Sequence, residues 1–176
     1  IRKTPKPVVA AVNGPAAGGG YGLALSCDLR LAAPEARFQP AYSRLGIVPD
    51  GGLTFFLPRM VGFGHAQRII LRDDVVKAEE ALRIGIVDRI VPLPELTAAA
   101  VADCRKLANQ PPDSFRLTKE LLTRSMLSDL DAQLDRERRR IALAGSQDAL
   151  KEGVAAFFEK REPNFRARKT TPPQTR

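Results

Sequence analysis

Three consecutive glycines at residues 18–20 separate two apolar segments, and they constrain the fold more than any other feature of the chain. The preceding residues 8–12 form a short continuous apolar run with β-branched side chains, which predicts a buried strand. The Ala- and Leu-rich residues 18–28 predict a buried helix, and residues 29–33 predict a second strand. The order strand, glycine loop, helix, strand predicts a βαβ unit in a sheet with crossover helices.

The rest of the chain is mostly helical by pattern and shows no internal repeat or linker. Residues 38–49 resemble a loop, and residues 50–52 open a helix in which Pro58 predicts a kink or a short first segment. Asp113 or Ser114 can cap a later helix. Further helices are predicted at 66–71, 77–84, 96–109, 113–124, 130–144 and 147–160, with a short strand at 87–91.

The composition is that of an ordinary globular domain with an excess of positive charge. The 176 residues are 44% hydrophobic and 27% charged, enough for one core. No window approaches the roughly 18 uninterrupted apolar residues of a membrane span, so no membrane partner is expected. The formal net charge is +8, concentrated in residues 136–140 and in the C-terminal tail. With no Trp and two Tyr, stacking platforms are scarce, so these runs predict solvated faces, with RNA binding as an alternative.

The thiols and the single histidine exclude several kinds of site. Cys27 and Cys104 lack metal-ligand spacing and are expected to be reduced, which predicts a cytoplasmic location. His65 is the only histidine, which argues against a histidine-based triad or a metal site built within the chain. No metal and no separate cofactor are therefore expected.

The glycine triplet suits a ligand at the start of a helix. Helix N-termini offer unpaired N–H groups, and glycines let a ligand approach the backbone closely. A phosphate or the oxyanion of acyl chemistry would fit, whereas the alternative is close packing of the helix on the sheet. The spacing matches neither the P-loop nor the Rossmann fingerprint, which makes phosphate the weaker ligand.

The segment KPVVAAVNGPAAGGGYGLALSCDLRLAA, residues 6–33, closely resembles the signature of the crotonase superfamily, the enoyl-CoA hydratase/isomerase family. The similarity continues through RFQPAYSRLGIVPDGGLTFFLPRMVG, KAEEALRIGIVDRIV and EGVAAFFEKREPNF. It implies an α/β crotonase-like spiral of ββα units with a C-terminal helical region. It also implies an acyl-CoA thioester substrate, with coenzyme A as part of that substrate, and a homotrimer or hexamer.

The resemblance gives the glycines a role and the chain an organisation. Gly19 N–H would be one oxyanion donor, and Gly18 and Gly20 would contact substrate. The family's other donor comes from a segment upstream of Ile1, so the chain resembles the C-terminal two-thirds of a crotonase domain and is expected to be inactive alone. The expected regions are the α/β core at 1–110, a helical trimerisation region at 111–162 and a basic tail at 163–176.

Two positions depart from the hydratase pattern. Family hydratases use two glutamates, and this chain has Gly22 and Tyr42 at the matching positions, which argues against hydration by a glutamate pair. The segment LGIVPDGG, residues 45–52, resembles the phenylacetate-pathway epoxide/enoyl-CoA isomerases, and so does the segment 130–148. That resemblance makes Asp50 the residue that moves a proton. The alternative is that Asp50 only caps the helix that follows.

Four further side chains are candidates for substrate contacts. Phe157 and Lys160 match family positions near the adenine and phosphate of coenzyme A, or they belong to a plain docking helix. Tyr42 and Phe56 line the acyl pocket, or they are simple core residues.

The predicted activity is double-bond or ring isomerisation of an enoyl-CoA thioester. The alternatives are an enoyl-CoA hydratase with atypical catalytic residues, and a non-catalytic acyl-CoA-binding paralogue or truncated remnant.

Overall fold

The predicted βαβ unit around the glycines is present. The computed structural model describes residues 1–43, 47–128, 130–146 and 148–165, and it divides into two compact units. The first unit contains residues 1–2 and 7–104, and the second contains residues 3–6 and the described part of 105–176. Of the predicted basic tail, residues 166–176 lie outside the described residues.

The first unit alternates short strands and helices. In chain order its elements are β1 (Val9–Val12), β2 (Pro15–Ala17), α1 (Gly19–Ser26), β3 (Leu29–Ala32), β4 (Arg37–Gln39), α2 (Leu53–Val61), α3 (Phe63–Arg72), β5 (Val76–Lys77), α4 (Ala78–Arg83), β6 (Arg89–Ile90) and most of α5 (Leu93–Ala108). The second unit is helical and contains α6 (Pro112–Ser125), α7 (Leu130–Gly145) and α8 (Asp148–Glu159).

Two three-stranded sheets organise the first unit. One has the order β1-β3-β6 and is parallel, with Ala11 opposite Leu31. The other has the order β2-β4-β5, with a parallel β2-β4 pair and an antiparallel β4-β5 pair. The sequence patterns did not predict β2, β4 and β5, which are only two or three residues long. Strands this short depend on their partners rather than on their own propensity.

The core of the first unit lies between these sheets and helices α1 to α4. Tyr21, Leu25, Phe38 and Leu57 are completely buried there. The prediction that α1 is buried holds only for one side, because Leu23 is 59% exposed. One face of α1 therefore remains available beside the glycine loop.

A buried arginine ties β3 to the segment before β6. The Arg30 guanidinium donates to the carbonyls of Ile86 at 2.6 Å and Cys27 at 2.9 Å, and its charge faces Asp88 at 3.4 Å. Its backbone N–H also donates to Asp88 Oδ2 at 2.6 Å. These contacts compensate the desolvation of the charge and hold the parallel sheet in register.

Two details of helix chemistry differ from expectation. Helix α6 begins after Pro111 with no side-chain cap, so neither Asp113 nor Ser114 performs that role. Pro58 lies within α2, which runs unbroken from Leu53 to Val61. Proline sets its own φ at a helical value, so the ring can sit in a short helix at the cost of one backbone hydrogen bond.

The second unit presents a large apolar surface. Within it, Lys119 Nζ donates to the carbonyl of Lys6 at 3.1 Å, and Arg140 pairs with Glu120. The apolar side chains of α7 and α8 line a groove of about 470 Å³ and include Ile141, Leu150, Phe157 and Phe158. The predicted role of this region in trimerisation stays a prediction.

No helix in the described ranges has the length and hydrophobicity to cross a lipid bilayer.

Candidate active site

The start of α1 offers unpaired backbone donors. Gly18 has φ +54°, and its N–H donates to the carbonyl of Gln39 at 3.0 Å, which leaves no proton of this amide for a ligand. The N–H groups of Gly19 and Gly20 have no acceptor among the described residues. They are the first two amides of the helix, where the helix dipole favours negative charge.

A carboxylate lies beside these donors. Asp50 Oδ1 is 3.8 Å from the point where a Cβ on Gly19 would stand. The Tyr42 hydroxyl donates to the same Asp50 oxygen at 2.6 Å. The Tyr42 ring in turn lies against Gly18, with Cζ 3.7 Å from the corresponding Cβ point. The structure thus brings together two predicted site residues, Tyr42 and Asp50, at the glycines.

The Asp50 side chain does not cap α2. The N-cap residue is Gly52, in the left-handed conformation at φ +81°, and no side chain donates or accepts at this cap. Asp50 contributes only its backbone carbonyl, which accepts from Leu53 N–H at 3.0 Å. The capping alternative is therefore wrong. The Asp50 side chain faces the glycines and Tyr42 and makes no hydrogen bond that caps α2.

Helix α1 and the loop that carries Asp50 approach so closely at Gly22 that no side chain fits there. A Cβ on Gly22 would stand 2.6 Å from the carbonyl oxygen of Gly51, a distance that real Cβ contacts do not reach. Gly51 has φ +57° and packs against the backbone of Gly19. Gly22 is the position that matches the first glutamate of family hydratases. With this backbone no glutamate fits there.

The two site side chains have different environments. Tyr42 is buried, whereas Asp50 is exposed. Burial, followed by the hydrogen bond with Asp50, raises the pKa of the Tyr42 hydroxyl above its ordinary value. The phenol therefore stays protonated at neutral pH and remains a donor to the carboxylate. The other carboxylate oxygen of Asp50, Oδ2, has no hydrogen-bond donor among the described residues.

The other candidate substrate contacts divide between the two units. Phe56 is partly buried on the core, and its ring fills the space beside Gly52. Phe157 and Lys160 belong to the second unit. Phe157 is 77% exposed and packs edge-on against Phe158, and Lys160 is exposed just after α8 with φ +53°.

Sequence reasoning missed one group that contacts the Tyr42 loop. Asp73, after α3, accepts from the backbone N–H of Ala41 at 2.6 Å and from Gln39 Nε2 at 3.2 Å. The sequence shows only a polar turn at 72–74. Nothing in that pattern distinguishes Asp73, which points inward, from its neighbour Asp74.

Comparison with known proteins gives a consistent family. The sequence model of the family described as "Enoyl-CoA hydratase/isomerase" matches residues 1–168. The chain is 41% identical to the 1,2-epoxyphenylacetyl-CoA isomerase of Escherichia coli K12, over 94% of this chain and 63% of that protein. It is also 41% identical to the short-chain-enoyl-CoA hydratase of Clostridium acetobutylicum, over 89% of this chain and 60% of that protein.

Solved structures agree on the fold. A putative enoyl-CoA hydratase from Streptomyces coelicolor A3(2) superposes with a TM-score of 0.91 at 38% identity, over 96% of this chain and 62% of that one. The fold is thus the expected crotonase type. The chain spans less than two thirds of the length of each of these relatives.

Proposed function

Because this chain belongs to the enoyl-CoA hydratase/isomerase family, we propose that the protein isomerises an enoyl-CoA thioester by proton transfer through Asp50. The observation that carries the proposal is the Asp50 carboxylate beside the Gly19 N–H, which has no acceptor among the described residues, in a site where Gly22 leaves no room for a glutamate. One carboxylate is sufficient for isomerisation, because the proton removed is also the proton returned.

The proposed reaction starts with the thioester carbonyl accepting a hydrogen bond from Gly19 N–H. Asp50 takes a proton from the α or γ carbon, and the electron pair of that C–H bond moves into the conjugated system as an enolate. The negative charge rests on the carbonyl oxygen, where the helix N-terminus stabilises it. Protonated Asp50 then returns the proton to the other carbon, so atoms and charge balance.

Tyr42 has a supporting role in this proposal. Its hydroxyl donates to Asp50 Oδ1 at 2.6 Å, which holds the carboxylate and leaves Oδ2 to take the proton. A positioned base is more effective than a mobile one, because the reacting atoms must meet within a narrow range of geometry. Tyr42 thus acts through Asp50 and does not itself exchange the proton.

Hydration is the second candidate function, since the hydratase of Clostridium acetobutylicum is as similar as the isomerase. A hydratase of this kind would use Asp50 instead of the glutamate pair to hold the water. The non-catalytic acyl-CoA-binding paralogue remains the third alternative.

We further propose how the substrate is bound and how the protein assembles. The substrate is an acyl-CoA thioester, with no metal or separate cofactor. Phe157 and Lys160 contact coenzyme A, and Phe56 lines the acyl pocket. The protein is a cytoplasmic homotrimer or hexamer whose subunits meet through α6 to α8.

An assay of the full open reading frame separates these functions. We expect conversion of 3-enoyl-CoA to 2-enoyl-CoA, or opening of an epoxy-CoA ring, with no formation of 3-hydroxyacyl-CoA. Formation of the hydroxy product from 2-enoyl-CoA would favour the hydratase. Tight binding of the CoA ester without turnover would favour the non-catalytic protein.

A further inference from the structure

Two residues in the left-handed conformation face each other behind the Tyr42–Asp50 pair. Ala41 has φ +60° and Asp73 has φ +56°. Asparagine and aspartate tolerate this conformation, but alanine adopts it only at a cost in free energy. Something must hold Ala41 in place, and the Asp73 carboxylate is the group that contacts its amide.

Asp73 is buried, and each of its two carboxylate oxygens accepts a hydrogen bond. Asp73 is only 8% exposed. Its Oδ1 accepts from Ala41 N–H at 2.6 Å, and its Oδ2 accepts from Gln39 Nε2 at 3.2 Å. Both donors belong to the three residues that precede Tyr42. Hydrogen bonds from N–H groups to a carboxylate are about twice as strong as those between neutral groups.

The same short segment reaches the glycine loop. The backbone carbonyl of Gln39 accepts from Gly18 N–H at 3.0 Å, and the carbonyl of Pro40 lies 3.6 Å from the Cβ point of Gly18. The side chain of Tyr42 then returns across Gly18 to Asp50. Position and direction of the Tyr42 ring thus depend on the backbone turn at Ala41.

We infer that Asp73 is a positioning residue that holds the Ala41 turn and thereby keeps the Tyr42 hydroxyl against Asp50. The inference rests on the proposed function only for its effect on turnover. The geometric part, from Asp73 through Ala41 to Tyr42, is independent of any activity and has its own measurement.

The first measurement is the ionisation of Tyr42, followed by nuclear magnetic resonance of isotopically labelled tyrosine in the full-length protein. This chain contributes only two tyrosines, and the signals lost in Tyr21→Phe and in Tyr42→Phe identify them. Asp73→Gly removes the carboxylate while suiting the positive φ, so the backbone of the turn is not strained. Asp73→Asn keeps an acceptor for Ala41 N–H, and rotation of the Gln39 amide restores its second bond.

We expect the raised pKa of Tyr42 to fall toward the ordinary tyrosine value in Asp73→Gly and to be kept in Asp73→Asn. In the double variant Asp73→Gly, Ala41→Gly, part of the rise in the Tyr42 pKa should return, because glycine adopts the positive φ at position 41 without the Asp73 carboxylate. Asp74→Asn is the matched control, since Asp74 pairs with Arg68 and Arg72 and should leave Tyr42 unchanged. A Tyr42 pKa unaffected by Asp73→Gly would overturn the inference.

Two further readouts keep the test decisive. Amide hydrogen exchange at Ala41 in the unmodified protein should be slow, and rapid exchange there would overturn the inference even if Asp73→Gly fails to fold. Turnover of the enoyl-CoA ester should drop by up to about a hundredfold in Asp73→Gly, mainly in kcat, as for a small misplacement of a catalytic group. A shifted Tyr42 pKa with unchanged turnover would refute the supporting role proposed for Tyr42 but not the contact through which Asp73 holds the Ala41 turn.

Discussion

The Tyr42 hydroxyl and the Asp50 carboxylate, eight residues apart in sequence, share a 2.6 Å hydrogen bond beside the first turn of α1. This pair stands where a family hydratase has a glutamate at the position of Tyr42. In this chain a phenol that donates and a carboxylate that accepts are present instead.

Asp50→Asn should abolish most isomerisation with little change in stability. Asn keeps an oxygen for the Tyr42 hydroxyl but cannot accept and return a proton, and a general base contributes about a hundred- to ten-thousandfold in rate. Asp50 provides no helix cap, so Asp50→Ala should cost about 1 kcal/mol of stability, which is the loss of its hydrogen bond with Tyr42. Initial rates and melting temperatures of both variants check this. Near-normal turnover in Asp50→Asn would place the proton carrier elsewhere.

Tyr42→Phe should lower turnover without abolishing it. The carboxylate remains but loses its orienting donor, so we expect a smaller loss than for Asp50→Asn, with KM little changed. Loss of the hydrogen bond should cost about 1 kcal/mol of stability. A rate as low as that of Asp50→Asn would instead mean that Tyr42 itself transfers the proton. Steady-state kinetics and chemical denaturation provide the two measurements.

Tyr21→Phe should stabilise the protein, most clearly in alkali. The Tyr21 hydroxyl is buried without a hydrogen-bond partner among the described residues, and its removal should gain about 1 kcal/mol at neutral pH. Burial raises the pKa of Tyr21, so the folded state holds this proton more firmly than the unfolded state. The stability that this proton contributes to the folded state is complete below the ordinary tyrosine pKa of about 10, and it is lost as the pH rises above that value.

The measurement for Tyr21→Phe is the melting temperature between neutral pH and strongly alkaline pH. The unmodified protein should lose stability above about pH 10, and the variant should lose less. Residual loss in the variant is expected from Tyr42, whose pKa is also raised. Equal slopes for the two proteins would contradict the prediction.

Gly22→Ala should destabilise the first unit, whereas Gly64→Ala should not. A Cβ at Gly22 would overlap the Gly51 carbonyl, and overpacking of this kind costs about 1–3 kcal/mol. Gly64 is also inside a helix, but no atom lies within 4 Å of its Cβ point. Alanine there should gain about 0.5–1 kcal/mol from helix propensity. Urea denaturation of the pair tests the contact, and equal effects would show that the loop simply moves away.

Lys160→Ala should weaken binding of coenzyme A esters by about 1 kcal/mol, as for loss of one hydrogen bond to a charged group. The loss should shrink at high salt, because surface charges are screened. Lys151→Ala is the matched control, since Lys151 is exposed on α8, which Lys160 directly follows, and pairs with Asp148. Isothermal titration at low and high salt measures both variants. Equal affinities for Lys160→Ala and the unmodified protein at low salt would exclude the contact.

The sequence predicted most of the regular elements and the glycine loop. The sequence pattern located α1 through α8 to within a few residues. It missed β2, β4 and β5, whose two or three residues carry no period. The site was predicted as separate residues, and the Tyr42–Asp50 contact was not foreseen. Side chains that meet through a loop have no spacing rule, unlike those on one helix face.

The helix cap shows how local rules can mislead. Aspartate before Gly-Gly-Leu matches the preference for an N-cap, yet Gly52 takes that position because its φ of +81° suits glycine best. Likewise, Asp73 and Asp74 are equivalent in the sequence. Only the fold determines that one accepts from the Ala41 amide while the other pairs with surface arginines.

The close approach of Gly22 to Gly51 also limits the routes by which this active site can change. A glutamate introduced at position 22 alone would collide with the loop that carries Asp50, so the variant would displace the proposed base before gaining a new one. Both segments would have to be exchanged together, the helix residue with residues 50–52. The two arrangements are therefore separated by an intermediate of low fitness, and a designer who wants hydration from this scaffold should begin with the loop.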